Sequence, residues 1–405
     1  MKLYPRYKTS FLITSVLGNV GSLAVFKYSG FIADNLTILL AMFDIEINLR
    51  SHLPNFMLIL PVGISFYTFQ SMSYTIDIYR EQLQPTTNVF HFFAYLSLFP
   101  QLVAGPIIRA SDLLPQLTQV HKPDEEERWE GLKLIAHGFF KKVVIADNLA
   151  PSVNYAFGNP IQSTSSLYWW IAVTGFAFQI YCDFSGYSDI ARGLAKWMGY
   201  DFMLNFDHPY ISTSLREFWS RWHISLSTWF RDYVYIPLGG SRKGTFHTYL
   251  NMFITMTVSG LWHGAAWNFV IWGFLHALLV NLERLTQWPS RLKNVPGGRW
   301  IATGIVLFEV WVTWVFFRAR TFAQALYIIK TMFSFSGGLE YHFSALGLGL
   351  LLIAILRELY FYLRLDQKIL IPFAYEYSEV LSQSVLLVAC IYLRGPGSAF
   401  IYFQF

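Results

Sequence analysis

Residues 301–317 read IATGIVLFEVWVTWVFF, seventeen residues in which Glu309 is the only charge. A helix needs roughly 20 predominantly apolar residues to cross a bilayer. Stretches of this kind recur at 10–31, 56–76, 167–184, 249–282, 343–363 and 384–394. Only 14% of the 405 residues are charged, against about a quarter in an ordinary soluble protein. A surface that poor in charge cannot hide so apolar an interior from water, so lipid must be the solvent for much of the chain. Backbone polar groups in hydrocarbon must be satisfied internally, which restricts spanning segments of this length to helices. The reading is an all-α, polytopic integral membrane protein, with residues 1–405 forming a single transmembrane domain.

Two further apolar stretches, 89–108 and 131–150, are interrupted by His91, Pro100, Gly105, Pro106, Lys141 and Lys142. Broken segments persist at membrane depth only where protein or a water-filled cavity covers the freed backbone. Re-entrant or interfacial helices are therefore expected among the spans, and 249–282 is long enough to be tilted or broken. HKPDEEERWEG at 121–131 is the strongest polar break, with acidic residues suited to the start of a following helix. TQWPSRLKNVPGGRW at 286–300 is a second, basic break. The opening MKLYPRYK is basic, but the apolar segment after it is too long for a signal peptide and has no small-residue cleavage site. Lys2, Arg6 and Lys8 favour a cytoplasmic N-terminus.

Other classes are excluded by what is missing. Cys182 and Cys390 give neither a disulfide framework nor metal-ligand spacing. The basic residues behind the net charge of +5 are scattered, which argues against nucleic acid as a partner. No internal repeat of the kind that marks many transporters is visible.

Ionisable groups inside apolar stretches are costly and usually face a partner or a working site. Asp183, Asp189 and Glu309 are expected to pair structurally. His263 lies in SGLWHGAAWNFVIWG at 259–273. A histidine bonded to a backbone carbonyl and a working proton acceptor are both open readings on that stretch alone.

Residues 214–232 have helical spacing with no proline or glycine, so a continuous helix is predicted there. It would place Trp219, His223 and Ser227 on one face, with Glu217 and Arg221 paired on another. The helix carries too many charges to span lipid and belongs at an interface or along a polar cavity. Two histidines in such settings make a plausible reaction centre, because imidazole can accept and return a proton near neutral pH. No Gly-x-Ser-x-Gly elbow, His-Glu-x-x-His pair or phosphate-binding loop accompanies them. Direct transfer between bound substrates is what remains.

Five motifs together resemble the membrane-bound O-acyltransferase family. They are PVGISFYTFQSMSYTIDIYR (61–80), FPQLVAGPIIR (99–109), CDFSGYSDIARGLAKWMGY (182–200), FWSRWHISLSTWFRDYVYIPLGGSRKG (218–244) and SGLWHGAAWNFVIWG (259–273). The resemblance is to the bacterial branch of alginate O-acetyltransferases and related polysaccharide acetylases, and extends to the ending FIYFQF. Members of that branch usually carry further apolar helices before the segment matching 10–31. The hydrophilic octet here leaves a naturally short form and a late start equally open.

The resemblance implies a ring of transmembrane helices, with re-entrant or interfacial helices, around a central tunnel. It makes His263 the catalytic base and His223 a second tunnel residue implicated in activity. Acetyl-coenzyme A is then the acyl donor, with no permanently bound cofactor and no metal. Arg231, Arg242 and Lys243 around the turn PLGGSRKG are candidate contacts for its phosphates. The acceptor would be an exported polysaccharide such as alginate, cellulose or peptidoglycan, reached directly or through an extracytoplasmic relay protein. FIYFQF would dock such a partner or anchor in the lipid interface. The expected location is the bacterial inner membrane, with several passes. Alternatives are an acyltransferase of the same fold with another cargo, such as D-alanine for teichoic acid or a fatty acyl chain, a non-enzymatic transporter, and a scaffold whose partner does the chemistry.

Overall fold

The computed structural model of the chain describes residues 5–103, 105–119, 121–158, 164–337, 343–363 and 375–401. Regular structure in these residues is helical, with no β-strand. Helix α1 (Lys8–Leu23) passes through a π-helical turn at Ala24–Tyr28 into α2 (Ser29–Ala41). Pro5–Ala41 thus runs as one 37-residue element. The expected span at 56–76 becomes a short 3-10 turn and then α3 (Ile64–Tyr79).

The broken stretch 89–108 folds as α4 (Val89–Ser97) and α5 (Phe99–Leu102), split at the extended Leu98 that precedes Phe99 and Pro100. Helix α6 (Ala110–Thr118) follows. Asp124 and Glu127 form a reciprocal capping box at the start of α7 (Glu125–Phe139), in the acidic run that the sequence marks as a helix start. A π-helical turn at Phe140–Ala146 joins it to α8 (Asp147–Gly158). Helix α9 (Ser166–Trp197) is 32 residues long. It lies hard against α7 because glycines meet there: a Cβ on Gly138 would sit 2.5 Å from the Gly186 carbonyl oxygen.

Residues 214–232 do not form the continuous helix that their spacing predicts. Helix α10 (Leu215–Arg221) stops, Trp222 is extended, His223 is left-handed (φ 43°, ψ 56°), and α11 (Ile224–Phe230) begins. Trp219, His223 and Ser227 therefore do not share one helix face. The cause is tertiary: Ile224 N–H donates to the Asn205 carbonyl at 2.9 Å instead of to the preceding turn. The Glu217–Arg221 pair does form, at 3.0 Å within α10.

The long stretch 249–282 is broken, into α12 (Thr245–His263) and α13 (Trp267–Thr286), with the chain extended at Gly264. The remaining helices are α14 (Trp288–Leu292), α15 (Gly298–Arg318), α16 (Phe322–Met332), α17 (Ala345–Leu363) and α18 (Tyr375–Tyr392). Pro5–Ala41, α13, α15 and α17 are long and apolar enough to cross a membrane. The stretch 167–184 lies on α9 and 384–392 on α18, which are not among those four in the described residues.

The core is aromatic. Phe66 and Phe69 of α3, Trp169 and Phe176 of α9, Trp222, Trp229, Trp262, Trp272 and Trp314 all belong to one buried cluster. Edge-to-face and offset ring pairs of this kind contribute about 0.5–1.5 kcal/mol each beyond area burial.

Buried charge is paired at the margin of that cluster. Lys142 Nζ lies 2.5 Å from Asp183 and 2.9 Å from Asp147, and Lys141 lies 2.6 Å from Asp189. The expected pairing of Asp183 and Asp189 is therefore found. The C-terminal tail is threaded into the same network. Ser398 Oγ donates to Asp147 at 2.6 Å, and the Ile401 N–H donates to Asp183 at 2.7 Å.

Glu309 behaves otherwise. It forms no ion pair among the described residues, and its Oε2 accepts no hydrogen bond. The neighbouring charge is Glu283, of the same sign. The Glu283 oxygens are already taken by the Leu215 and Arg216 N–H groups at the start of α10, at 2.6 and 3.4 Å.

Candidate functional site

His263 is the last residue of α12 and is 5% exposed. Its place follows from a close helix hairpin. A Cβ on Gly260 would lie 3.1 Å from Gly273 Cα, and one on Gly273 would lie 2.3 Å from the Met256 carbonyl oxygen. With hydrogen at both positions α12 can lie directly on α13, and His263 is brought against Trp272. Its ring meets the Trp272 indole edge to face at 5.1 Å and Phe317 of α15 at 5.3 Å.

His223 is fully buried between α10 and α11. Asn205 Oδ1 lies 3.2 Å from His223 Nδ1. The same oxygen accepts from Ser225 N–H at 3.2 Å and from Ser225 Oγ at 2.9 Å, while Asn205 Nδ2 donates to Ser188 at 3.2 Å. A carbonyl oxygen can only accept, so Nδ1 of His223 carries the proton and Nε2 carries the lone pair. The ring is walled by Phe184 at 4.6 Å and Phe206 at 6.1 Å.

Forty residues of sequence separate the two histidines, and Trp262 joins them. Its indole lies 5.0 Å from the His263 ring and 6.2 Å from the His223 ring. The imidazoles are close enough to interact electrostatically. The fold thus brings both sequence-predicted histidines into one buried aromatic cluster around Trp262.

A third histidine was not singled out by sequence reasoning. His276 of α13 is 1% exposed, one turn beyond Trp272, with their rings 4.8 Å apart and the Trp219 indole at 5.0 Å. Thr313 donates its hydroxyl to the Val310 carbonyl at 2.9 Å, so its oxygen accepts from His276 Nε2 at 3.0 Å. That leaves Nδ1 as an acceptor with no partner among the described residues. An ionisable residue in the apolar run FLHALL was the available signal, the same one that marked His263. Lys27, in the first long helix, was likewise missed.

Arg231, Arg242 and Lys243 are at the surface, unlike the two buried histidines. Arg231 is exposed and ion-paired with Asp232 at 2.7 Å, and Arg242 and Lys243 are exposed on the turn before α12. Of the ending FIYFQF, Phe400 and Ile401 are described: Phe400 packs on Tyr187 at 4.9 Å, and the Ile401 N–H is tied to Asp183. The other four residues lie outside the described ones. A separate apolar cavity of about 570 Å³ opens between α9, α15 and α17, lined by Phe178, Tyr210, Trp311 and Glu358 among others. Neither His223 nor His263 lines it.

The family model described as MBOAT, the membrane-bound O-acyltransferase family, matches residues 49–324. A probable alginate O-acetylase of Azotobacter vinelandii is 42% identical over 80% of this chain and 63% of its own length. A peptidoglycan O-acetyltransferase of Helicobacter pylori is 34% identical over 82% of the chain and 66% of its own length. A teichoic acid D-alanyltransferase of Bacillus subtilis is 27% identical over 62% of the chain and 66% of its own length. The alignments thus span just under two thirds of these relatives.

Proposed function

The chain belongs to the membrane-bound O-acyltransferase family, and from that membership we propose that it is an O-acetyltransferase of an exported cell-surface polysaccharide. The observation that carries the reading is the meeting of His223 and His263 on the indole of Trp262. Acetyl-coenzyme A, approaching from the cytoplasm, is the donor. Arg231, Arg242 and Lys243 are the cations offered to its phosphates, and the pantetheine arm passes inward through a tunnel in the ring of helices.

His263 is the base. It takes the proton of an acceptor hydroxyl as that oxygen attacks the thioester carbonyl. The new C–O bond forms, the C–S bond breaks, and the proton returns from the imidazolium to the departing thiolate. His223, with Nδ1 held by Asn205, is a second buried imidazole beside the base and helps to orient the acceptor for attack. The surrounding indoles exclude water that would otherwise hydrolyse the thioester. The acceptor is a polysaccharide hydroxyl, or the hydroxyl of an extracytoplasmic protein that passes the acetyl group on. The protein resides in the inner membrane.

The names of the more similar relatives favour acetyl over D-alanyl as the cargo, since the D-alanyltransferase match is weaker and shorter. A test is His263→Ala in the native host, reading the O-acetyl content of the exported polymer beside the protein level in the membrane. Loss of acetyl groups at normal protein level is expected. Unchanged acetylation would overturn the assignment of His263, and D-alanyl esters in place of acetyl would overturn the cargo.

A further inference from the structure

Helix α12 ends at His263 without a left-handed cap, because Gly264 is extended (φ −162°, ψ 152°). The carbonyls of a last helical turn have no partner within their own helix. Here two come from another helix. The Tyr28 hydroxyl donates to the Leu261 carbonyl at 2.9 Å. The Lys27 ammonium donates to the Trp262 carbonyl and, at 3.1 Å, is bonded to Ser65 Oγ. Lys27 also stands over the Trp262 indole, 5.4 Å from its centroid.

Both donors sit in the π-helical turn Ala24–Tyr28. Consecutive residues of a regular α-helix point about 100° apart, and the widened turn lets two in a row reach one helix end. Such turns often mark functional sites. A lysine within a long apolar helix is costly to retain. A cation facing the partially negative end of a helix recovers part of that cost.

We propose that Lys27 and Tyr28 form a clamp that fixes the last turn of α12 and thereby sets the position of the His263 imidazole. Lys27 and Tyr28 are positioning residues, since they hold the two peptide groups that lead into His263. The proposal rests on the reading of His263 as the base.

The test uses membranes of the native host carrying the full chain, with acetyl-coenzyme A varied and released coenzyme A thiol measured per unit of protein. Lys27→Met is expected to lower kcat about a hundredfold with KM nearly unchanged, the size of effect that a misplaced reacting group produces. Lys27→Arg, which keeps the cation, is expected to recover most of that loss. Tyr28→Phe, which removes one hydroxyl, is expected to lower kcat roughly fivefold to tenfold. If Lys27→Met does not accumulate in the membrane, Tyr28→Phe and Lys27→Arg carry the comparison.

Wild-type kcat in Tyr28→Phe, or in a Lys27→Met protein at normal level, would overturn the clamp. An effect of Lys27→Met on KM alone would overturn it too, because Lys27 would then be holding substrate. His263→Ala is run beside them. Full turnover in that variant sinks the base assignment whatever Lys27 does. A dead His263→Ala beside a fully active Lys27→Met sinks the clamp alone.

Discussion

Asn205 Oδ1 holds Nδ1 of His223 at 3.2 Å, and the Asn205 backbone carbonyl accepts from the residue that follows His223. A single side chain and its own peptide group thus hold both the ring and the chain reversal that presents it. Replacing Asn205 by Ala removes an acceptor shared by three donors. Each buried donor left without a partner costs about 1–3 kcal/mol. Asn205→Ala is expected to lower the unfolding temperature in detergent and to abolish most acetyl transfer. Unchanged turnover would show that His223 keeps its place without Asn205.

The left-handed backbone at His223 separates its two roles. Glycine adopts φ 43° freely, whereas an L side chain there pays about 1–2 kcal/mol. His223→Gly and His223→Ala should therefore be equally impaired in transfer, with the glycine variant the more stable of the two by about 1 kcal/mol. Thermal unfolding of the pair, compared at equal lipid and detergent, decides it. Equal stability would mean that the break between α10 and α11 is not strained.

Gly273 is where α12 and α13 touch. A methyl group there would sit 2.3 Å from the Met256 carbonyl oxygen, and backbone cannot swing aside as a side chain can. Gly273→Ala is expected to push the helices apart at a cost of about 1–3 kcal/mol and to lower turnover further by shifting His263. The measurements are membrane protein level and O-acetyl content per molecule. A variant with normal level and normal content would show that the hairpin can relax without moving the histidine.

Lys142 is ion-paired with Asp147 and Asp183 at once. Lys142→Met leaves two buried carboxylates uncompensated, a loss of about 3–5 kcal/mol, and should reduce the protein found in the membrane. Removing one of those charges as well, in Lys142→Met/Asp183→Asn, should recover part of it. If the double variant accumulates less than the single one, the tail contacts of Asp183 outweigh the ion pair.

Much of this protein can be read along the chain. Apolar runs of spanning length, a charge content too low for a soluble surface, and the acidic start of α7 are local signals, and they specify helices and lipid. His263 is marked by the cost of placing an imidazole in a tryptophan-rich span, and the five motifs mark the family. Local spacing fails at 214–232, where helical periodicity is intact and the helix still breaks, because the Ile224 N–H donates to the Asn205 carbonyl instead of to the preceding turn. It does not give the partners of Lys27, His276 or Ser398, although Lys27 and His276 stand out as ionisable residues in apolar runs; those partners lie on other elements. A sequence fixes what each segment needs from its solvent, since period and hydropathy are properties of neighbours in the chain. Which donor meets which orphaned carbonyl depends on helices closing to within hydrogen-bond reach, and that is decided by packing alone.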